Sequence, residues 1–328
     1  MSTLVPDKGK RRIFFILNPV SGILSAEQVW RRFHARCQHA GHDVTLYQTT
    51  GKENLKEIVL KAVSEGYDLF VAGGGDGTVS AVADGLYGTD LPMAILPVGT
   101  WNALARGLGI PLILDGAIRL ITGEHDVMAV DGMLIDGRIY LLNAGVGLSS
   151  STMLQTGRRQ KRQMGWLAYP WNFILQLFGM QLHSFQIIAD DRVIRTRASE
   201  IMIMNSNLTA IKELSNMLDI KVNDGKLELC IFRERSLPGM LLLAANILIG
   251  RPYHNLRFEI IPITDHAIVR PSREMITQAD GDLIGHTPLN IKLLPGAARL
   301  VVPLPRDGVH LPPMLEEIYQ RVLPRTTN

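Results

Sequence analysis

The stretch Val71-Ala72-Gly73-Gly74-Gly75-Asp76-Gly77-Thr78 decides how the first third of the chain folds. It completes a short apolar run, residues 69–72, of the kind that forms a buried strand. A helical pattern follows it over residues 79–86. Glycines at such a junction allow a sharp turn and let another group approach the backbone closely. The stretch therefore predicts a strand, a glycine turn and a helix in direct succession.

Strand and helix patterns alternate on both sides of this turn. The predicted strands are residues 13–17, 43–48, 69–72 and 93–96, and the predicted helices are residues 26–39 and an amphipathic segment from Leu55 to a stop at Gly66. Such alternation indicates an open α/β sheet with right-handed crossover connections. Sheets of this type bind ligands at the C-terminal ends of their strands.

Beyond about residue 130 the pattern changes to short strands separated by turn residues, which is typical of an antiparallel sandwich or barrel. The predicted strands are residues 137–142, 185–189, 201–204, 226–232, 256–261, 267–270, 289–294 and 300–302, and the predicted helices are residues 166–180, 238–250 and 313–322. We expect an α/β domain over residues 10–133, completed by residues 305–328, and a β-sandwich domain over residues 134–304.

Composition limits the class of protein. A chain of 328 residues with 46% hydrophobic and 20% charged residues has the material for two packed domains. The net charge of +3 does not predict nucleic-acid binding, and the isolated Cys37 and Cys230 predict neither a disulfide framework nor a zinc site. The longest apolar stretch, residues 240–250, is shorter than the ~20 residues of a membrane-spanning helix. With no secretory pattern at the N-terminus, we expect a cytoplasmic protein.

The glycine turn has the chemistry of a phosphate-binding loop. The helix that begins there offers free backbone N–H groups and a favourable dipole to a polyphosphate. Asp76 is an anion and does not bind phosphate itself, but its carboxylate suits Mg²⁺ held between protein and nucleotide. The alternative is an ordinary glycine turn with Asp76 as a helix N-cap. The chain has no GxxxxGK[ST] segment, and Gly145-Val146-Gly147 lacks the third glycine of a dinucleotide fingerprint.

Five ordered motifs resemble the diacylglycerol kinase superfamily, which includes the sphingosine kinases and, more distantly, NAD kinases and phosphofructokinases. They are Asn18-Pro19-Val20-Ser21-Gly22, Gly74-Gly75-Asp76-Gly77-Thr78, Pro97-Val98-Gly99-Thr100-Trp101-Asn102 with Ala105-Arg106, Asn143-Ala144-Gly145-Val146-Gly147, and Asp280-Gly281-Asp282. Together they span nearly the whole chain. The resemblance implies a phosphofructokinase-like α/β nucleotide-binding domain followed by an antiparallel β-sandwich, with the active site between them.

The resemblance also implies which residues bind ATP and Mg²⁺. The implied ATP site comprises Asn18, Pro19, Val20, Ser21, Gly22, Thr49, Gly74, Gly75, Asp76, Gly77, Thr78, Val79, Ser80, Thr100 and Asn102. A second Mg²⁺ site would use Asp224 with the backbone carbonyls of Lys221 and Lys226, and Asp131 would belong to the same network. The alternative for Asp224 is a plain Asn-Asp-Gly hairpin turn. Asp76 and Asp282 are the implied catalytic residues, with Asp282 as the general base.

Four positions depart from the family pattern. Ala103 replaces an acidic residue of the metal-linked network, Ser80 and Ala81 replace an Asn-Glu pair, and Asp282 replaces the longer catalytic Glu. A general base must come within about 2.6–3.2 Å of its hydroxyl, so a side chain shorter by one methylene matters. Either the acceptor lies deeper, or activity is reduced, or Asp280 shares the task.

A basic and aromatic segment suggests contact with lipid. Arg158-Arg159-Gln160-Lys161-Arg162 precedes a set of apolar rings and side chains, namely Trp166, Tyr169, Trp171, Phe173, Ile174 and Phe178. Charge attraction together with inserted rings is how a protein docks peripherally on an anionic membrane. The alternative is a solvated loop followed by a core helix. A homodimer is left open.

We expect an enzyme that transfers the γ-phosphoryl group of ATP to a hydroxyl of a lipid such as diacylglycerol or a related lipid alcohol. The alternatives are a weakly active or non-catalytic nucleotide- or lipid-binding relative, a soluble-substrate kinase of the NAD kinase type, and a dinucleotide-dependent oxidoreductase. The sequence does not say which lipid is the acceptor.

Overall fold

The computed structural model describes residues 3–4, 9–22, 24–147, 181–205, 221–234, 236, 238–239 and 257–304. Their strands are β1 (Thr3–Leu4), β2 (Arg12–Leu17), β3 (Asp43–Gln48), β4 (Leu69–Gly74), β5 (Met93–Pro97), β6 (Asp126–Ile135), β7 (Arg138–Tyr140), β8 (Asn143–Gly147), β9 (His183–Ala189), β10 (Arg192–Ala198), β11 (Glu200–Met204), β12 (Leu227–Phe232), β13 (Phe258–Ile263), β14 (His266–Pro271), β15 (Ile276–Ala279), β16 (Asp282–His286) and β17 (Leu289–Val302). Their helices are α1 (Ala26–His39), α2 (Leu55–Ser64), α3 (Asp76–Leu86), α4 (Ala103–Gly107) and α5 (Leu114–Thr122).

The first part of the chain forms a parallel sheet between two layers of helices. Strands β3, β2, β4 and β5 lie side by side in parallel. Along β2, Phe15 belongs to the same buried cluster as Phe33 of α1 and Ile118 of α5, whereas Phe14 belongs to the cluster on the other face with Val59 of α2. Because both faces of the sheet are covered, its inner strands β2 and β4 and the neighbouring β5 are nearly continuous apolar runs rather than alternating ones. The predicted α/β pattern of this part is confirmed.

The second part is a sandwich of two antiparallel sheets. Strands β13, β12, β11, β8, β15 and β16 form a six-stranded sheet in that order. It packs against β9, β14 and the first half of β17, which belong to the larger, eleven-stranded sheet. Ile201 and Leu229 meet Ile187, Val269 and Ile291 in one shared core. The predicted antiparallel sandwich is therefore confirmed.

Strand β17 joins the two parts. Its first half pairs with β14, its second half lies parallel to β5, and β6 runs along nearly its whole length. The sequence predicts two strands separated at Pro295-Gly296, and that prediction is wrong. The ladder with β6 shifts register between Leu294 and Ala298, so the intervening residues form a bulge and the strand continues.

The sequence does not predict strand β10 (residues 192–198), because of its charged composition. It carries Arg192, Arg195 and Arg197 in seven residues, a composition that indicates a loop. In the structure β10 is the last strand of its sheet, and the three arginines are exposed. A strand at a sheet edge tolerates charge because one of its faces meets water.

The predicted helices at residues 166–180 and 313–322, the basic segment at residues 158–162 and the completing segment 305–328 lie outside the described residues, as does nearly all of the predicted helix 238–250. The proposed boundary near residue 133 stays a prediction. Among the described residues, no helix is both long and apolar enough to cross a membrane.

Phe33 tests the packing of α1 on the parallel sheet. Its ring is fully buried, with its centroid 4.6 Å from that of Phe15. Phe33→Ala should lower the free energy of unfolding by about 3–5 kcal/mol, since it leaves a cavity in a close-packed core. Urea denaturation followed by circular dichroism measures this, with Arg36→Ala on the exposed side of the same helix as the control. An equal, small loss in both variants would contradict the packing.

Candidate active site

Three loops meet at the C-terminal edge of the parallel strands. They follow β2, β4 and β5 and contain Asn18–Gly22, Gly75 and Gly99–Asn102. The amide of Asn18 donates to Gly73 O at 2.8 Å, which joins the first loop to the end of β4. A β-carbon added at Gly99 would lie 2.4 Å from the α-carbon of Gly75, so two backbones touch where no side chain fits.

The predicted glycine turn is present, with Gly75 as the N-cap of α3. Thr78 N and Val79 N both donate to Gly75 O, at 2.9 and 3.2 Å, and close the first turn. The side chain of Val79 is buried in the core. Gly77 is exposed at the start of the helix. The N-terminus of α3 therefore faces the space beyond the sheet edge at Gly77.

Asp76 joins this turn to the loop after β5. Its carboxylate accepts hydrogen bonds from Ala103 N at 3.1 Å and Leu104 N at 3.2 Å, so it caps the short helix α4 rather than its own helix. Each carboxylate oxygen accepts one of these bonds and keeps a further lone pair. Such an oxygen suits Mg²⁺, and the predicted role of Asp76 as a metal ligand stays a prediction.

The loop after β5 is shaped by Asn102. This residue has the left-handed φ of 48°, and its amide bonds to Gly99 N, Gly99 O and Pro97 O. Its polar atoms therefore serve its own loop. Thr100 beside it is exposed and Thr49 is buried at the end of β3, where Thr49 N donates to Leu17 O at 2.9 Å.

Asp282 lies directly across from the start of α3. A β-carbon added at Gly77 would lie 3.2 Å from Asp282 Oδ2. Asp282 is exposed at the first position of β16, and no hydrogen bond or ion pair to its side chain is found among the described residues. The sequence predicts this carboxylate opposite the glycine turn, and the structure brings the two together.

Asp280 differs from Asp282 in its burial and in its hydrogen bonds. It is buried, and its carboxylate accepts hydrogen bonds from the hydroxyl of Ser80 and from the backbone N–H groups of residues 141, 142 and 143, the last three at 2.8, 2.9 and 3.0 Å. Burial raises the pKa of Asp280, whereas the four donors favour its charged form. With its oxygens occupied, Asp280 is placed to hold the site together and not to accept a proton from substrate.

A cavity of about 190 Å³ opens beside Asp282. It is lined by Gly77, Ser80, Ala81, Ile135, Asp136, Arg138, Ile139, Tyr140, Asp280, Asp282, Leu283 and Ile284. Burial raises the pKa of Tyr140. The β6–β7 hairpin contributes five of these residues, none of which the sequence reasoning singled out. The sequence signal for this hairpin is the pair Asp136-Gly137, which is typical of a two-residue turn. Both residues have the positive φ values that such a turn requires, 48° and 79°.

Asp131 holds the loop that contains the predicted second metal site. Asp131 N donates to Val222 O at 2.7 Å, and its carboxylate accepts from Gly225 N at 2.7 Å and Gly296 N at 2.8 Å. Asp131 therefore positions the 221–226 loop and fills the bulge of β17. Each of its oxygens accepts one backbone hydrogen bond and keeps a further lone pair, and its part in the metal network stays a prediction.

Asp224 is the exposed carboxylate of that loop. Its Oδ1 accepts a hydrogen bond from Lys226 N at 3.2 Å, and no hydrogen bond to Oδ2 is found among the described residues. Together with the carbonyl oxygens of Lys221 and Lys226 this is an all-oxygen donor set of the kind that Mg²⁺ prefers. The described residues contain no group of three or more His, Cys, Asp and Glu side chains that could hold a metal ion, so this site stays a prediction.

Comparison with known proteins identifies the class. Residues 12–134 match the diacylglycerol kinase catalytic domain, and residues 143–302 match the YegS C-terminal NAD kinase beta sandwich-like domain. The chain thus belongs to the diacylglycerol kinase family, as its motifs indicate, and it is a lipid kinase.

Individual relatives agree with this assignment. The chain is 27% identical over 286 residues to a diacylglycerol kinase of Bacillus subtilis, a match that covers 85% of this chain and 92% of the relative. It is 34% identical over 134 residues to a "Probable lipid kinase YegS-like" of Pseudomonas aeruginosa, which covers 40% and 44% of the two chains. A crystal structure of a diacylglycerol kinase from Bacillus anthracis, 24% identical, has the same fold with a TM-score of 0.72 over 89% of this chain and 97% of that one.

Ser80 tests the junction at Asp280. Ser80→Ala removes one of the four donors to a buried carboxylate and should lower the free energy of unfolding by about 1.5–3 kcal/mol, the usual range for a hydrogen bond to a charged group. Ser64→Ala, which removes a hydroxyl from the end of α2, is the matched control and should cost less than about 1 kcal/mol. Equal losses in the two variants, measured by urea denaturation, would mean that the Ser80 hydroxyl is not part of a buried junction.

Proposed function

We propose that this lipid kinase uses MgATP and transfers its γ-phosphoryl group to a hydroxyl of a lipid such as diacylglycerol or a related lipid alcohol. One observation carries the proposal. The carboxylate of Asp282, without a partner among the described residues, lies against Gly77 at the N-terminus of α3. A phosphate donor at the helix and an acceptor hydroxyl at the carboxylate would be neighbours there.

The nucleotide would bind along the edge where the three loops meet. The start of α3 presents N–H groups and the positive end of its dipole to the phosphates. Gly75 and Gly99 let the backbone come close to them, and the exposed Thr100 and the half-buried Ser21 add hydroxyl donors. Mg²⁺ would be held by Asp76 beside the glycine turn and, at the second site, by Asp224, and when bound it neutralises charge on the phosphates.

The acceptor hydroxyl would enter the cavity beside Asp282. At about 190 Å³ the cavity is smaller than the ~300–1,000 Å³ of sites that enclose a whole ligand. It therefore suits a headgroup and leaves acyl chains outside. Its wall is mixed, because Arg138 and Asp282 are charged whereas Ile135, Ile139 and the 42%-exposed Leu283 are apolar. Such a wall suits a hydroxyl-bearing headgroup that is carried on an apolar lipid.

Asp282 would take the proton of this hydroxyl as the phosphoryl group is transferred. The residues around it mainly position the reactants, as is usual for phosphoryl transfer. The turn that presents Asp282 is fixed from below by Asp280, through Ser80 on α3 and the backbone of residues 141–143. Asp282 and the glycine turn are thereby held in one frame.

Replacing Asp282 by asparagine tests the assignment. Asp282→Asn should lower kcat by about 10²–10⁴-fold, the usual cost of losing a general base, and should leave the KM for ATP nearly unchanged. The residue is exposed, so we expect the variant to fold, and its melting temperature is the control. Turnover equal to that of the unaltered enzyme would remove Asp282 from the mechanism.

Asp282→Glu separates two accounts of the shorter side chain. If the cavity is matched to aspartate, the longer side chain overreaches toward Gly77 and slows the reaction. If the site has decayed from a glutamate-bearing ancestor, the same change leaves the rate unaltered or raises it.

A further inference from the structure

A second feature of the molecule is an exposed basic surface far along the chain from the glycine turn. Strands β10, β9 and β14 form one margin of the larger sheet, with β10 as the last strand. In register, Arg195 lies opposite Gln186, and Gln186 lies opposite Arg270. Directly opposed residues share one face of a sheet. A row with an arginine at each end therefore crosses the three strands.

The next row of the same face is also polar. Arg197 lies two residues from Arg195 and opposite Ser184. On the other side of β9, Ser272 N donates a hydrogen bond to Ser184 O at 2.9 Å, so Ser272 extends this row. The two rows line a shallow groove of about 530 Å³. We call these residues, Arg195, Arg197, Arg270, Gln186, Ser184 and Ser272, the arginine face.

The three arginines of this face have no anionic partner among the described residues. Some other described arginines are paired with acidic side chains, as with Arg257 and Glu234 or Arg299 and Asp90. Strands β9, β10 and β14 contain no aspartate or glutamate at all. The positive charge of the face is therefore not neutralised within these strands.

Protection of a sheet edge does not account for all three arginines. Charged side chains on β10 do discourage pairing with another strand. Arg270, however, is on β14, which has β9 on one side and β17 on the other. Edge protection therefore does not explain the exposed guanidinium of Arg270.

Beside the charged rows lies an apolar row. Val193 is opposite Ile188, which is opposite Ile268. Val193 is 57% exposed, and both isoleucines are half-buried. Arginines next to exposed aliphatic groups form the pattern that binds the boundary between lipid headgroups and acyl chains, because charge attracts the phosphates and the aliphatic groups enter the interface.

We propose that the arginine face docks the enzyme on the phosphates of anionic phospholipids. A second copy of the chain fits the face poorly, because a two-fold contact would set arginines against arginines. Phe185, which borders the groove, is buried in the sandwich core, so the six residues of the arginine face offer no aromatic ring on which nucleic-acid bases could stack. Docking would hold a lipid kinase at the surface where its substrate lies, without any part in the chemistry at Asp282.

The test removes the three charges. The variant Arg195→Gln, Arg197→Gln, Arg270→Gln should bind vesicles of phosphatidylglycerol and phosphatidylcholine roughly 100-fold more weakly in a flotation assay, from the usual contribution of each basic residue at an anionic surface. Binding of the unaltered protein should weaken as salt rises from 0.1 M, where charges are screened over about 10 Å. The exposed positions should leave the melting temperature unchanged.

A matched control removes three exposed arginines from the helices of the first part. Arg31→Gln, Arg36→Gln, Arg119→Gln changes the net charge equally and should keep nearly full vesicle binding. Equal loss in both triple variants, or unaltered binding in the first, would overturn the proposal. So would competition by inorganic phosphate beyond that of chloride at equal ionic strength, which would indicate a site for small anions.

Two further measurements separate docking from other roles. Activity on a short-chain diacylglycerol in detergent micelles should be the same in both triple variants, whereas activity on anionic vesicles should fall only in the first. Loss of activity in micelles would place the arginines in the catalytic machinery and overturn docking. A shift from dimer to monomer in sedimentation velocity with unaltered vesicle binding would make the face an interface between copies and would also overturn it.

Discussion

The buried carboxylate of Asp280 is the interaction on which the site depends. It accepts a hydrogen bond from Ser80 on α3 and three more from the backbone that enters β8, so one side chain connects α3 to the sandwich. Leaving such a group unpaired is costly in a low-dielectric interior, so all four donors are held in place. The positive φ values of Asp280 and Gly281, 47° and 86°, then turn the chain back and present Asp282 at the surface.

Other buried or half-buried carboxylates also join separate segments of the chain. Asp76 caps α4, Asp84 accepts from Ile139 N and Lys56, and Asp131 accepts two backbone donors at the bulge of β17. In each case a carboxylate fixes one segment against another. Asp282 lacks such partners among the described residues. The contrast between carboxylates that hold the frame and one that is free to react is what the proposed mechanism needs.

Local patterns predict much of the fold, since the helix at residues 26–39 and the strands around residues 13–17, 43–48 and 93–96 have the predicted position or nearly so. The errors lie where tertiary structure overrides a local signal. Pro295-Gly296 predicts a break, but pairing with β6 on one side carries β17 through it as a bulge. At the site, the sequence predicts the glycine turn and Asp282 because both belong to motifs. The sequence does not predict the hydrogen-bond partners of Asp280, because Ser80 is 200 residues away and the other donors are backbone groups.

The most direct test of the account follows the γ-phosphate. The protein is incubated with γ-labelled ATP and Mg²⁺, either with a total lipid extract or with a panel of water-soluble metabolites, and the products are partitioned between organic and aqueous phases. The account predicts that label enters the organic phase only when lipid is present, as a phosphorylated lipid. Label carried by a water-soluble metabolite, or released as inorganic phosphate with no labelled acceptor, would contradict it.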